Sequence, residues 1–409
     1  MSNSYKKESC RLCASKNLSD VLVLNQSPLC DAYSMRPKQQ EFYDLTLCLC
    51  NNCNFVQINT VINPEEIYRD YIYVTTSSLG LQKHFENFAS QVVDYLNLNK
   101  SNFVVDIGSN DGTLLSFFKK NGLRVLGIEP SIRASNFANE NNIETLPEFL
   151  SNEISDQVVE KYGKASLITI NNLFANVDYL KEFVESAEIL LSDEGVIVIE
   201  SSYLIDMIDN MIFDFIYHEH LSYFSIVPLV KFFNNFNFRL INVHRVGTKG
   251  GSLRYYWARN GSKWKIDKSV LEMTSRELSA EIGPEKFTQY NNKINTVKLQ
   301  LRNFLEKHKD GKIVGYGASA TSTTLISHLG LEDYLTYLVD DNPDKVGTFS
   351  PGYNLPVYSS EKILLESPDV IIILAWRFKE EILKKIPNDF DGEIVVPLPN
   401  FHIENNNGN

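Results

Sequence analysis

Beyond Cys53 this 409-residue chain has no cysteine, and all six that it does have lie between Cys10 and Cys53. A disulfide framework would staple the whole chain, so the cluster asks for another explanation. Positive charge is also scarce: 39 Lys and Arg against 51 Asp and Glu leave a net charge of −12. That removes any electrostatic reason to approach a nucleic-acid backbone or an anionic membrane nonspecifically. A small anionic ligand is still compatible, because helix N-termini and a few placed cations bind phosphate locally. No run approaches the ~18 apolar residues of a membrane helix, and the polar start MSNSYKKESCRLC is followed by no apolar stretch of a signal peptide. These absences imply a cytoplasmic protein without membrane partners. Core-forming residues are not lacking: 43% of the chain is apolar and 11% aromatic. At about 2.7 times a domain of ~150 residues, the chain should hold two or three domains.

The first ~70 residues mix the cysteines with turn residues and short apolar runs, as a small loop-rich module does. A helix over LGLQKHFENFASQVVDYLNL follows. FVVDIG, RVLGIEP, SLITINNLF and VIVIESSY then alternate with amphipathic stretches, the pattern of an open, mostly parallel α/β sheet. A second such series starts near Gly311 with KIVGYG. The stretch from SRELSAEIG to LEKHKD reads as a long solvated helix between the two. The divisions are 1–75, 76–205, 206–300 and 301–409.

Cys10-x-x-Cys13 and Cys50-x-x-Cys53 are two knuckles able to converge on one tetrahedral ion, for which zinc is the natural choice. Four thiolates leave no open position, so the ion would be structural and would help fold a segment too small to stabilise itself. Cys30 and Cys48 stand outside the pairs. Cys48 is near enough in sequence to compete as a ligand, although a buried apolar role suits both better.

After the first strand of the α/β series come Asp106, Gly108, Asn110 and Gly112, and after the second comes Glu129. A glycine there lets a ligand approach the backbone, and a carboxylate at the tip of the second strand can accept from both hydroxyls of a ribose. Asp106 and Asp111 would repel a pyrophosphate, so a cationic sulfonium with its ammonium suits the loop better. DIGSNDG with Glu129 resembles motif I and its partner in class I methyltransferases that use S-adenosylmethionine. The resemblance places Asp106 and Gly108 by the methionine moiety, Glu129 on the ribose, Glu148 and Phe149 by the adenine and Asn171 at the edge of the fourth strand.

Tyr217-His218-Glu219-His220 has histidines at i and i+2, the wrong spacing for a helical zinc pair, but a histidine beside a carboxylate can act as a base near neutrality. On composition alone, base and structural histidine are equally supported. Lys249, Ser252 and Arg254 in KGGSLR offer two cations and a hydroxyl around exposed amides, a candidate pyrophosphate site or a tight hairpin. Gly315-x-Gly317-x-x-Ala320 with Asp340 fits a dinucleotide fingerprint, so an NAD-dependent epimerase or dehydrogenase is a rival. An RNA methyltransferase gripping its substrate with the zinc module is another, against which the net charge speaks.

Taken in order, CRLC…CNNC, YIYVTTSS, DIGSNDGTLL, NNLFANV, YHEHLSYFS, GTKGGSLR, GYGASA and VDDNPDKVG…PG resemble the sugar C-methyltransferases of deoxysugar biosynthesis over nearly the whole chain. Those enzymes methylate C-3 of nucleotide-linked 4-keto-6-deoxyhexoses through an enolate. The resemblance implies a class I methyltransferase domain flanked by a zinc module and a C-terminal Rossmann-like unit that holds the nucleotide sugar. It makes His220 the base, with Tyr217 and Glu219 beside it, and turns Tyr71, Tyr73, Ser77 and Ser78 into sugar-binding candidates. Ser319 and Trp376 would line the C-terminal side. Where the family has a histidine after the fourth strand this chain has Asn176, which can hydrogen-bond but cannot exchange a proton at neutral pH. Nothing in the sequence decides the oligomeric state, and a monomer would suffice.

Overall fold

The run Phe103–Ile107 is buried at every residue, as a strand covered on both faces must be. It sits near the middle of a seven-stranded sheet in the computed structural model, which describes residues 4–68, 80–387 and 389–404. The seven strands are Phe103–Ile107, Arg124–Ile128, Thr145–Leu146, Ala165–Asn171, Leu191–Ser202, Phe238–Val246 and Ser252–Arg259. Numbered along the chain, they lie across the sheet in the order 3-2-1-4-5-7-6, with the seventh antiparallel between the fifth and sixth. The chain leaves the first strand to one side and enters the fourth on the other, which opens a crevice at their carboxyl ends. Asp106 and Asn171 stand at that crevice. The helix Leu81–Leu96 covers one face with Phe85, Phe88, Ala89, Val92 and Leu96.

Two boundaries read from the sequence move. The central unit does not end at residue 205, because the hairpin of the sixth and seventh strands returns to its sheet. The zinc module is not confined to residues 1–75 either. Its four-stranded sheet, built on Leu18–Ser27, Tyr43–Cys50 and Val56–Ile58, takes Ser222–Tyr223 as an edge strand, with Ser222 opposite Gln57 and Tyr223 opposite Val56. The segment just after His220 is thereby tied to the zinc module.

The C-terminal sheet has six strands: Ile313–Tyr316, Leu335–Asp340, Val357–Ser359, Val370–Ile373, Glu393–Val396 and an antiparallel edge, His402–Glu404. The helix Pro284–Lys307 leads into it. It was expected to be solvated, but Phe287, Tyr290, Ile294, Val297, Leu301, Phe304 and Leu305 form a buried stripe along one face. The stripe belongs to the core that the zinc module shares with the C-terminal unit. Its charged residues occupy the opposite face, which is what makes the string look polar.

The helix Ala320–Leu329 is buried at all but its first residue, despite the sequence ATSTTLISHL. Its hydroxyls are bonded to the surrounding chain: Thr323 Oγ1 donates to the Cys30 carbonyl at 2.9 Å and Thr324 Oγ1 to the Ile216 carbonyl at 3.1 Å. Satisfied hydroxyls are what allow such a helix to sit between three layers.

Candidate functional site

The carboxyl ends of the central strands, the YHEH segment and the C-terminal sheet enclose a cleft of about 1880 Å³. Asp106, Gly108, Asn110, Glu129, Glu148, Phe149, Asn171 and Asn176 line its central-domain half. Gly108 has φ +73°, and a Cβ there would meet Leu173 Cδ2 at 2.8 Å. Glu129 is oriented by two backbone amides, from Asn110 at 2.9 Å and Ser131 at 2.8 Å. Asp106 accepts from Thr169 Oγ1 at 2.6 Å, and burial, reinforced by Glu129, raises its carboxyl to about 7. Such a carboxyl ionises most readily when a cation arrives, as the ammonium of S-adenosylmethionine would be. Gly112 lies off the cleft: with φ +75° it starts the helix Thr113–Lys120 and packs on Ile143 and Ala138.

The two histidines of YHEH part company. His218 is buried, and its Nε2 lies 3.2 Å from the Asp44 carbonyl of the zinc module, a structural contact. His220 faces the cleft, with Nδ1 3.0 Å from the Phe215 carbonyl and Nε2 3.2 Å from Tyr217 Oη. A carbonyl can only accept, so Nδ1 carries the proton and Nε2 presents a lone pair to the tyrosine hydroxyl. Burial, helped by the charge of Lys249, pushes the pKa of His220 down to about 3, so the ring is neutral at physiological pH. A neutral ring has a lone pair for a proton, but its pKa lies well below the near-neutral value that the motif suggests, because burial disfavours the imidazolium.

Behind this turn, Asp214 Oδ2 accepts from Trp376 Nε1 at 3.0 Å and Arg377 Nη1 at 2.7 Å. Arg377 also lies 4.5 Å from the centre of the Phe215 ring, whose residue holds His220. Trp376 is therefore a support beneath the site, and Arg377, which sequence reasoning missed, lines the cleft in its place. No local signal could have revealed this, because the aspartate lies far back in the chain.

Lys249 and Ser319 line the cleft, while Ser252 and Arg254 do not. Arg254 is buried with Nε 2.9 Å from Glu200 Oε2, and its guanidinium lies 4.0 Å from the centre of the Phe88 ring. His84 Nε2 meets the other oxygen of Glu200 at 2.5 Å. Ser252 Oγ donates to the Thr248 carbonyl at 3.1 Å. One of the two expected cations of this loop remains at the cleft, because the strand register turns Arg254 inward. Tyr71, Tyr73, Ser77 and Ser78 lie outside the described residues.

The Asp340 carboxylate, which a dinucleotide reading would place on a ribose, accepts instead from the amides of Ala318 at 2.6 Å and Asn342 at 2.8 Å. It braces the glycine loop.

At the other end, the Sγ atoms of Cys10, Cys13, Cys50 and Cys53 all lie within 4.8 Å of one another. The pairs Cys10–Cys53 and Cys13–Cys50 are 3.6 and 3.5 Å apart, close to the ~3.8 Å of a tetrahedron with Zn–S bonds of about 2.3 Å. The knuckles repeat each other: the Ala14 amide donates to the Cys10 carbonyl and the Asn54 amide to the Cys50 carbonyl, with Ala14 and Asn54 both at positive φ. The residues fit zinc. Cys48 does not compete, since its Sγ donates to Asp20 Oδ1 at 3.1 Å, and Cys30 lies 3.7 Å from Thr324 Oγ1. Among the described residues no helix is long and apolar enough to cross a membrane.

The 3-2-1-4-5-7-6 sheet, with its glycine turn and paired carboxylates at the switch point, defines a class I methyltransferase fold carrying a zinc module. Sequence comparison carries this further. Residues 10–68 match the family described as "Putative zinc binding domain", residues 81–243 the "Methyltransferase domain" and residues 247–399 the "C-methyltransferase C-terminal domain". Taken with the fold, the three matches make this chain an S-adenosylmethionine-dependent C-methyltransferase. It is 28% identical over 403 residues to C-methyltransferase NovU of Streptomyces niveus, across 96% of each chain. Among solved structures it is similar to magnesium protoporphyrin IX methyltransferase (ChlM) from Synechocystis PCC 6803, at 12% identity and a TM-score of 0.34, covering 44% of this chain and 81% of that one. A methyltransferase from Aquifex aeolicus is similar at 15% identity and a TM-score of 0.33, over 43% of this chain and 97% of that one. These two likenesses add nothing to what the sheet order already carries.

Proposed function

We propose that this enzyme methylates C-3, the carbon next to the ketone, of a nucleotide-linked 4-keto-6-deoxysugar. The observation that carries this is His220 at the wall of the cleft, its unprotonated Nε2 held 3.2 Å from Tyr217 Oη, with Asp106 and Glu129 lining one side and the C-terminal glycine loop the other. A C–H beside a ketone is far more acidic than other sugar C–H bonds, and an imidazole with an unprotonated Nε2 can take its proton once a negative charge nearby offsets the burial that lowers its basicity. S-adenosylmethionine, when bound, supplies an electrophilic methyl group on a cationic sulfur.

The chain's own residues do the rest. Asp106, Asn110 and Glu129 hold the cofactor's amine and ribose, with Glu148, Phe149 and Asn171 around them. His220 removes the proton, with the Phe215 carbonyl fixing its tautomer and Tyr217 Oη directing its free nitrogen. Glu219 stands beside it with a compensating negative charge for the imidazolium, and Asn176 offers a hydrogen bond to a sugar hydroxyl. Ser319 and the C-terminal loops hold the nucleotide. The enclosure keeps the two reacting carbons aligned, the source of much of the rate. The partners of this reading are small molecules.

The test is methyl transfer from isotopically labelled S-adenosylmethionine to a panel of dTDP- and GDP-linked 4-keto-6-deoxyhexoses, with the product position read by NMR. Label appearing on the carbon next to the ketone supports the reading. An absence of transfer to every member of the panel sinks it.

A further inference from the structure

We propose that Lys249 is a catalytic residue, whose ammonium receives the enolate oxygen formed when His220 takes the proton next to the ketone. The proposal rests on the ketone-methylation reading above. Lys249 lies between the sixth and seventh central strands and lines the cleft with Tyr217, Glu219 and His220. Its backbone is held at φ 55° and ψ 25°, the left-handed region, which side chains of this length seldom adopt. Strain of this kind persists where the surroundings over-determine it, and functional sites are where it collects.

The surroundings do over-determine it. Asn210 Nδ2 donates to the Gly250 carbonyl at 2.9 Å, and the Tyr203 amide donates to the Gly251 carbonyl at 3.1 Å. A Cβ on Gly250 would lie 2.1 Å from Ile212 Cδ1, and one on Gly251 would lie 2.5 Å from Asp206 Cβ. The loop is pinned against the helix Leu204–Asp209 and the residues that follow it, and the direction of the lysine is set by its backbone.

Charge pairing separates Lys249 from the other cations of the cleft. Arg377 is paired with Asp214 at 2.7 Å, Lys345 with Asp31 at 2.7 Å and Lys385 with Asp341 at 2.6 Å. Lys249 has no ion pair within 4.0 Å among the described residues. The groups that act on it are Glu200 and Glu219, which favour its charge, and Arg377, which opposes it; burial is the largest influence and brings it to about 8. It in turn lowers the pKa of His220, so the two share one reacting space. A cation with no carboxylate within 4.0 Å among the described residues, in a buried site, is matched to a negative charge that is absent in the ground state and develops in the transition state. A pyrophosphate role would call for the second cation of the KGGSLR loop, but Arg254 is buried against Glu200.

The step balances. The C–H electron pair becomes the C=C bond of the enolate, the carbonyl π pair moves to oxygen opposite Lys249, and the proton goes to His220 Nε2. The carbon then forms a bond to the methyl group as the C–S bond breaks. The carbonyl re-forms, S-adenosylhomocysteine leaves neutral at sulfur, and His220 returns its proton to water.

The test separates deprotonation from methyl transfer. With S-adenosylhomocysteine present, loss of the proton next to the ketone is followed by NMR in D2O for the same sugar panel, using wild type, Lys249→Met and Lys249→Arg. Exchange and methylation should both fall on the order of 10²–10³-fold in Lys249→Met, with partial recovery in Lys249→Arg. KM and S-adenosylhomocysteine affinity should change little, and Tm should hold or rise because an unpaired charge has been removed. Normal exchange with a KM raised tenfold or more would make Lys249 a phosphate anchor and overturn the proposal. A large drop in Tm would make it structural and do the same. If wild type itself exchanges no proton with any sugar, the functional reading fails first.

Discussion

Arg11, between the first two zinc-cluster cysteines, places its Nε 2.8 Å from Oδ1 of Asp178, which follows Asn176 by two residues. Its Nη1 donates to the carbonyls of Ile58 at 2.6 Å and Leu221 at 3.3 Å, the latter directly after His220. One guanidinium on the metal module thus braces both the segment after Asn176 and the segment after His220. The pair is almost fully buried, so it is screened little by water or salt.

Removing Arg11 should leave Asp178 with Lys7 as its remaining cation, 3.0 Å away at the module's edge. Breaking a buried pair from one side costs about 3–5 kcal/mol, so Arg11→Ala should lower Tm substantially and reduce kcat more than it weakens cofactor binding. Stripping the metal with a chelator should act in the same direction, since the knuckle that carries Arg11 would loosen. Differential scanning fluorimetry with and without chelator, paired with turnover, checks both. An unchanged Tm after confirmed metal loss would contradict the bracing role.

Gly108→Ala tests the cofactor turn. At φ +73° the new methyl group is strained by its backbone and meets Leu173 Cδ2 at 2.8 Å, on the cleft wall. Calorimetric titration should find S-adenosylhomocysteine bound at least about tenfold more weakly, with the fold retained; about 1.4 kcal/mol corresponds to that factor. Wild-type affinity would mean that the turn shifts freely.

Asp106 gives the cofactor site a proton linkage. Burial raises its carboxyl to about 7, with Glu129 adding to the effect, while Thr169 and Asn171 act against it. An arriving ammonium favours the ionised form and lowers that value. Binding should therefore release close to one proton per site below pH 7, and affinity should increase with pH up to about 7 and then level off. Titrations in two buffers of different ionisation enthalpy measure the proton count directly. Asp106→Asn should bring the count near zero and flatten the pH dependence.

The division of labour within YHEH is checkable with three variants. His220→Gln keeps a polar group but cannot take a proton, so methylation should fall on the order of 10²–10⁴-fold while S-adenosylhomocysteine affinity is unchanged. Tyr217→Phe removes the hydroxyl 3.2 Å from Nε2 and should cost roughly tenfold in kcat. His218→Gln should lower Tm with little change in kcat per folded molecule, because its partner is the Asp44 carbonyl of the zinc module. Equal losses of kcat for both histidines would contradict this assignment.

Local patterns made part of the site readable. Two CxxC pairs can converge on an ion whatever surrounds them, because each knuckle is a closed turn of a few residues. The DIGSNDG loop and Glu129 were legible for a similar reason: a glycine turn after an apolar strand and a carboxylate after the next one belong at one end of a parallel sheet. The helix Pro284–Lys307 shows the limit of such reasoning. Its apolar stripe is present in the sequence, but what it packs against is settled by two units distant from it along the chain.

From the residues alone, the chain determined its parallel sheets, its cysteine cluster, the glycine turn after its first parallel strand and the presence of a histidine beside a carboxylate, all properties of contiguous segments with a fixed period or spacing. Only the tertiary structure decided that His220 and not His218 faces the cleft, that Arg254 turns inward to Glu200 while Lys249 has no ion pair among the described residues, that Trp376 supports from behind, and that Arg11 ties the metal module to the segment just after His220. Those outcomes depend on which buried polar group meets which partner across 54 residues of chain for Arg254 with Glu200, 162 for Trp376 with Asp214 and 167 for Arg11 with Asp178. Burial makes such pairing obligatory, yet sequence proximity carries no record of the partner.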